Sequence, residues 1–301
     1  MNRVYKNLRV TKKKIEMSLI NKKTFGHKQN IDSIQANAYL YEKLQSGEPF
    51  SASRIGFAEM DFFSIIDRKG TKKINPSSEM SKIFDGKPEL MEKYVEELRR
   101  AYRNTDLFIA WYQFFRESKL ISKYGKRDAR CTDSAVLEPF YMEKPWTRAL
   151  EGKKVLVISP FSKTIENQYS RIQKIYPNGF MPRFELQTIQ SVWYTATTGK
   201  DERFATWHDA LEYLRNQIKA RDFDVALLSC GPFGVPLLST IKEMGKQGIY
   251  VGGVLQLYFG IRGNRWDTWY HYDDLYNEYW VRPGEDNRPS GAGQYEDGCY
   301  W

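Results

Sequence analysis

The stretch Lys153-Lys154-Val155-Leu156-Val157-Ile158-Ser159, running into Pro160-Phe161, decides the fold. A continuous apolar run rich in β-branched residues, with no polar alternation, is the pattern of a strand covered on both faces, as in a parallel sheet flanked by helices. Downstream the chain alternates. Residues 164–175 read as helix, 184–191 as strand, 206–220 as helix, 224–229 as strand, 235–246 as helix and 249–251 as strand. This order predicts right-handed crossovers and a Rossmann-like α/β fold, a mostly parallel sheet with helices on both faces. No internal repeat is evident.

In such sheets ligands bind beyond the carboxyl ends of the strands. Three small-residue turns fall there: Ser159-Pro160-Phe161-Ser162, Cys230-Gly231-Pro232-Phe233-Gly234 and Gly252-Gly253. Each would expose backbone amides at a helix start to a diphosphate, which makes Ser159, Phe161, Gly231, Gly234, Gly252 and Gly253 candidate ligand contacts. None forms a complete G-x-G-x-x-G or P-loop, and glycine equally lets a helix approach a strand closely. Arg262 and Arg265, beside Gly260 and Gly263, are positioned in sequence to clamp phosphates or to pair with Asp267 or Asp273.

Upstream, residues 31–45 carry a helical apolar stripe broken by Ser46-Gly47-Glu48-Pro49, residues 50–55 read as a strand, and a helix follows over 58–67. The turn between them is Arg54-Ile55-Gly56-Phe57-Ala58-Glu59. It combines a planar cation, a residue without a Cβ and a carboxylate in a helical first turn. Arg54 suits a diphosphate or an ion pair with Glu59; Gly56 admits a ligand close to the backbone or merely shapes the turn; Glu59 suits a divalent cation or a sugar hydroxyl. Residues 67–87 read as a loop beside this turn with one helical turn at 80–84, 89–104 as an amphipathic helix, and 107–112 as a strand, while 114–124 mixes aromatic and basic residues without a decisive period. Those aromatics suit a core, or a stack on uracil or a sugar.

R-x-G-x-x-E at the end of an early strand resembles the signature of bacterial glycosyltransferases of the GT-D fold. Leu137-Glu138-Pro139-Phe140 with Pro145-Trp146, then Val155 to Phe161, then Gly252 to Trp266 are similar to blocks of capsule and cell-surface polysaccharide proteins carrying that domain. The resemblance spans roughly residues 35–301. It implies a nucleotide-sugar donor, UDP-sugar favoured, and a surface-polysaccharide or lipid-linked acceptor. It gives Arg54 and Glu59 catalytic roles and adds Gln256 to the donor contacts. In better-known members the turn reads Asp-x-Glu; here Phe57 stands in the place of the aspartate, so Glu59 alone inherits metal binding, with Mn²⁺ or Mg²⁺ completed by the substrate diphosphate. The same difference leaves open a non-catalytic nucleotide-sugar or glycan-binding component of a polysaccharide assembly complex, and fold alone leaves open another Rossmann-like transferase.

The 301 residues, 41% hydrophobic and 15% aromatic, support a packed core and exclude a chain disordered throughout. A basic arm over 1–30 precedes a single α/β domain over 31–301, with a division into two lobes near 148 as an alternative. Nine of the 46 Lys and Arg lie in residues 1–30 against one of the 37 Asp and Glu, so the remainder is nearly neutral despite a net charge of +9. A basic arm without a basic, aromatic-interleaved face argues against nucleic acid. Val4, Leu8, Ile15 and Leu19 share a helical stripe, so residues 1–24 suit peripheral contact with an anionic membrane, a docked helix or a solvated tail. No apolar run reaches the roughly 18 residues of a membrane span, and the lysine-rich start does not fit a signal peptide. A cytoplasmic protein, peripheral at the inner membrane face, is the expectation. Cys131, Cys230 and Cys299 show no C-x-x-C, and His27, His208 and His271 no metal-ligand spacing, so a disulfide framework, a zinc site and a hydrolytic triad are disfavoured.

Overall fold

A computed structural model describes residues 28–110, 114–195, 199–270, 272–285, 288, 292–293 and 298–301. Residues 1–27 of the basic arm, on which the expected membrane contact falls, His27, His271 and the distal part of the expected strand at Trp111-Tyr112 lie outside the described residues.

Among the described residues the strands are β1 (Gln29–Asn30), β2 (Phe50–Ser53), β3 (Leu107–Ala110), β4 (Arg130–Asp133), β5 (Lys154–Ser159), β6 (Glu185–Gln190), β7 (Tyr194–Thr195), β8 (Gly199–Lys200), β9 (Val225–Leu228) and β10 (Gln247–Tyr250). Eight form one sheet in the order β1-β4-β3-β2-β10-β9-β5-β6, and β7 and β8 form a small antiparallel pair. Every pairing in the large sheet is parallel. Strand β10 joins the two halves of the chain, with Ile249 opposite Ala52 of β2 and Leu227 of β9.

The unbroken apolar run of β5 has the expected consequence. Val155 and Val157 belong to one buried cluster and Leu156 and Ile158 to the other, all fully buried, because successive side chains point to opposite faces. One face is covered by helices Phe57–Lys69, Glu79–Ile83, Pro88–Asn104, Phe114–Tyr124, Trp207–Lys219 and Gly234–Glu243. The other is covered by Ser33–Ser46, Ser162–Tyr169, Ile172–Ile175, Leu255–Tyr258 and the 3-10 turns between 134 and 150. The molecule is therefore an α/β protein with a parallel sheet and helices on both faces. Among the described residues no helix is long and apolar enough to cross a membrane.

Local chemistry sets the helix starts. Asp32 accepts from the amides of Ile34 and Gln35 while Gln35 returns a bond to the Asp32 amide, and Thr206 with Asp209 repeats this capping box before Trp207–Lys219. Gly47 closes the first of these helices in the left-handed conformation.

Several elements differ from expectation. The helix expected over 164–175 starts at Ser162 and breaks after Tyr169. There the Arg171 amide donates to the Gln168 carbonyl, and the restarted turn Ile172–Ile175 buries both isoleucines. Strands β1 and β4 were not expected: Arg130-Cys131-Thr132-Asp133 has no apolar run, and backbone pairing to Leu107–Ala110 makes it a strand. Residues 114–124 are helical.

Candidate functional site

A cavity of about 470 Å³ opens at the carboxyl ends of β2, β10, β9, β5 and β6, within the range of small-molecule sites. At adjacent strands β5 and β9 the chain leaves in opposite directions, toward β6 and toward β10, the kind of switch point at which open α/β sheets form crevices.

From β2 come Arg54 and the turn Gly56-Phe57-Ala58-Glu59. Gly56 is the N-cap of helix Phe57–Lys69 and offers no side-chain cap. Glu59 takes that space. A Cβ built on Gly56 would collide with the Glu59 carboxylate, so the acidic group folds back onto the positive end of the helix. From β10 come Tyr250, Gly252 and Gly253. Gly252 has φ +73°, and a Cβ there would overlap the Arg54 guanidinium; a Cβ on Gly253 would sit 2.7 Å from Cε1 of Tyr300.

Strand β9 leads to Ser229, Cys230, Gly231, Pro232 and Phe233. The Tyr250 hydroxyl donates to the Gly231 carbonyl at 2.8 Å, and its ring lies where a Gly234 Cβ would be, 2.5 Å from Cζ. Burial pushes the Cys230 thiol well above its ordinary value, so it stays protonated at neutral pH. Strands β5 and β6 supply Pro160, Phe161 and Ser191 to Thr195. Trp193 meets Phe161 edge-on at 6.4 Å and Trp301 at 5.7 Å, giving this wall an aromatic character. Arg265 and Tyr300 complete it. The Arg265 guanidinium lies 4.9 Å from the centre of the Tyr300 ring and donates to Cys299 Sγ at 3.0 Å, so 299–301 is docked against 264–266.

Electrostatics tie these groups together. Burial raises the Tyr250 phenol well above its usual value; Glu59 raises it further, while Arg54 works in the opposite sense. Tyr94, fully buried, is raised by burial and then by Glu59. Both phenols therefore stay protonated at physiological pH, and the Tyr250 hydroxyl donates to Gly231.

The structure thus brings Arg54, Gly56, Glu59, Phe161, Gly231, Gly252, Gly253 and Arg265 to one cavity. Four sequence candidates lie off it. Ser159 is buried behind the wall, its hydroxyl accepting from the Phe161 amide at 3.2 Å. Gly234 seats the Tyr250 ring. Gln256 is buried, its amide bonded to the carbonyls of Arg262 at 3.0 Å and Tyr300 at 3.3 Å. Arg262 covers Tyr276 at 4.4 Å and pairs with Asp267 at 3.3 Å.

The glycines also have a packing role. Gly56, Gly252 and Gly253 use their missing Cβ to seat Glu59, Arg54 and Tyr300. Sequence reasoning missed Glu79, Trp193, Tyr250 and Tyr300 as lining residues. For Glu79 a signal existed, since Ser78 caps the short helix Glu79–Ile83 that carries it. The carboxylates lining the cavity are Glu59 and Glu79. Among the described residues, no group of three or more His, Cys, Asp or Glu is placed to hold a metal ion. A cation here would draw on one or two carboxylates and substrate oxygens, a donor set that fits magnesium or manganese.

No family model matches the chain, and no curated protein matches it. Two solved structures resemble it. One is a selenomethionine-substituted domain of unknown function 1792, 12% identical over 90% of this chain and 96% of that one, with a TM-score of 0.45. The other carries the description "The highly conserved domain of unknown function 1792 has a distinct glycosyltransferase fold", is 13% identical over 87% of this chain and 93% of that one, and has a TM-score of 0.44. Both likenesses concern the fold.

Proposed function

We propose that this protein is a glycosyltransferase that takes a sugar from a nucleotide-sugar, UDP-sugar favoured, and passes it to a surface-polysaccharide or lipid-linked acceptor. The observation that carries the reading is the convergence of Arg54, Glu59 and Arg265 with an aromatic wall in one crevice at the carboxyl edge of the sheet.

In this reading Arg54 and Arg265 bind the donor diphosphate, and Trp193 and Tyr300 offer faces to the base or sugar. Glu59 accepts the proton of the acceptor hydroxyl as its oxygen attacks the anomeric carbon. The bond from that carbon to the diphosphate breaks, and the nucleotide leaves with the electron pair toward the two arginines. Held by Glu59 or Glu79 together with the diphosphate, Mg²⁺ or Mn²⁺ would supply further positive charge there; metal binding and base catalysis compete for Glu59. The protein works in the cytoplasm, with residues 1–24 recruiting it to the inner membrane face. Liposome binding unchanged on deleting 1–24 would remove the recruitment.

The test is thermal stabilisation by UDP, GDP, CMP and S-adenosylmethionine, each with and without Mg²⁺ or Mn²⁺. A ligand at a hundred times its Kd adds about 2.7 kcal/mol. A response to UDP, followed by turnover of a UDP-sugar, supports the transferase; silence toward every nucleotide refutes it. Phe57, in the place where related turns carry aspartate, favours a second reading as a nucleotide-sugar-binding component without turnover, which binding without product would support.

A further inference from the structure

The first turn of helix Phe57–Lys69 leaves a large aromatic side chain in water. Phe57 is 53% exposed. The other exposed large hydrophobic residues among those described are Ile34, Tyr41 and Tyr141, none of which lines the cavity; Phe57 does. Ala58 beside it is exposed, and Glu59 follows on the same turn with its carboxylate folded toward Gly56. An apolar ring, a small residue and a carboxylate therefore share the cavity mouth.

That combination matches one ligand chemistry. A pyranose presents an apolar face of C–H groups and a rim of hydroxyls, so one ring can cover an aromatic side chain while a hydroxyl reaches a carboxylate. Covering Phe57 also removes apolar surface from water. Arg54 and Arg265, which line the same cavity, suit an anion instead. The one site thus offers groups for two different chemistries.

We propose that Phe57 is the platform on which the acceptor's pyranose ring stacks, turning a ring hydroxyl toward Glu59. The acceptor role rests on the glycosyltransferase reading; the stacking of a sugar on Phe57 does not.

The experiment is saturation-transfer NMR of the full chain with a panel of methyl pyranosides, without nucleotide and with saturating UDP, on the wild type, Phe57→Ala and Phe57→Trp. The melting temperature and its shift with UDP are recorded for each. We expect saturation concentrated on the C–H protons of one sugar face, binding about five- to tenfold weaker in Phe57→Ala, and retained binding in Phe57→Trp. The UDP response of Phe57→Ala is expected to equal that of the wild type. Equal pyranoside binding by wild type and Phe57→Ala overturns the platform, as does the absence of pyranoside binding by the wild type. Pyranoside binding that depends on Phe57, in a protein stabilised by no nucleotide, sinks the transferase reading and leaves the platform standing.

Discussion

The Arg54 guanidinium rests on the Cα of Gly252, in the space a Cβ would fill. The contact joins the residue after β2 to the turn after β10, and it makes a glycine in one half of the chain a condition for placing a cation from the other.

Gly252→Ala should therefore do two separable things. A left-handed φ of +73° costs an alanine about 1–2 kcal/mol, visible as a lower urea midpoint. Displacement of Arg54 should also abolish the UDP-induced melting shift. Gly253→Ala, at ordinary φ, should disturb Tyr300 while costing less stability.

Glu59→Gln keeps the shape that folds back onto Gly56 but cannot accept a proton. Turnover should fall by at least about 10²-fold while the melting temperature changes little. Activity retained within a few-fold would exclude Glu59 as the base.

Tyr250→Phe removes the hydroxyl that donates to the Gly231 carbonyl at 2.8 Å. Loss of one such partly buried bond should cost about 1 kcal/mol, measurable by urea titration, and should loosen the turn 231–233 at the cavity edge.

His208 supplies a pH prediction. It is buried beside Trp207 and Phe84, and burial, helped by Lys93, lowers its pKa to about 4; Glu97 and Asp209 oppose this and Arg215 adds to it. The unfolded chain takes up this proton near the ordinary value of about 6.5, so between there and 4 the unfolded state binds more protons and stability falls as pH falls. Urea unfolding at pH 7 and pH 5 should show this loss, and His208→Phe should reduce it. A pH dependence identical in the variant would show that other groups set it.

The sheet was legible because β5, β9 and their neighbours are buried on both faces, which leaves an uninterrupted apolar signature. Strand β4 was not, because Arg130-Cys131-Thr132-Asp133 owes its conformation to the partner strand. In the site, Arg54 and Glu59 were legible from local spacing. Trp193 and Tyr300 were not, since their place depends on packing against Phe161, Trp301 and Arg265, far away in sequence. Arg262 shows the converse. Its neighbour Asp267 was visible in sequence, and the ion pair between them is what holds it away from the cavity.

Strand β10 is last of the sheet in chain order and lies between β2 and β9. Without β10, β2 and β9 would each present a bare ladder of amides and carbonyls. Completing the sheet therefore requires a central insertion instead of an addition at the rim, and non-local pairing of this kind slows folding in general. The same pairing brings Gly252 under Arg54, so the crevice is assembled only when the sheet is complete. Cutting the chain between β9 and β10 would leave two fragments, neither holding the site until they recombine.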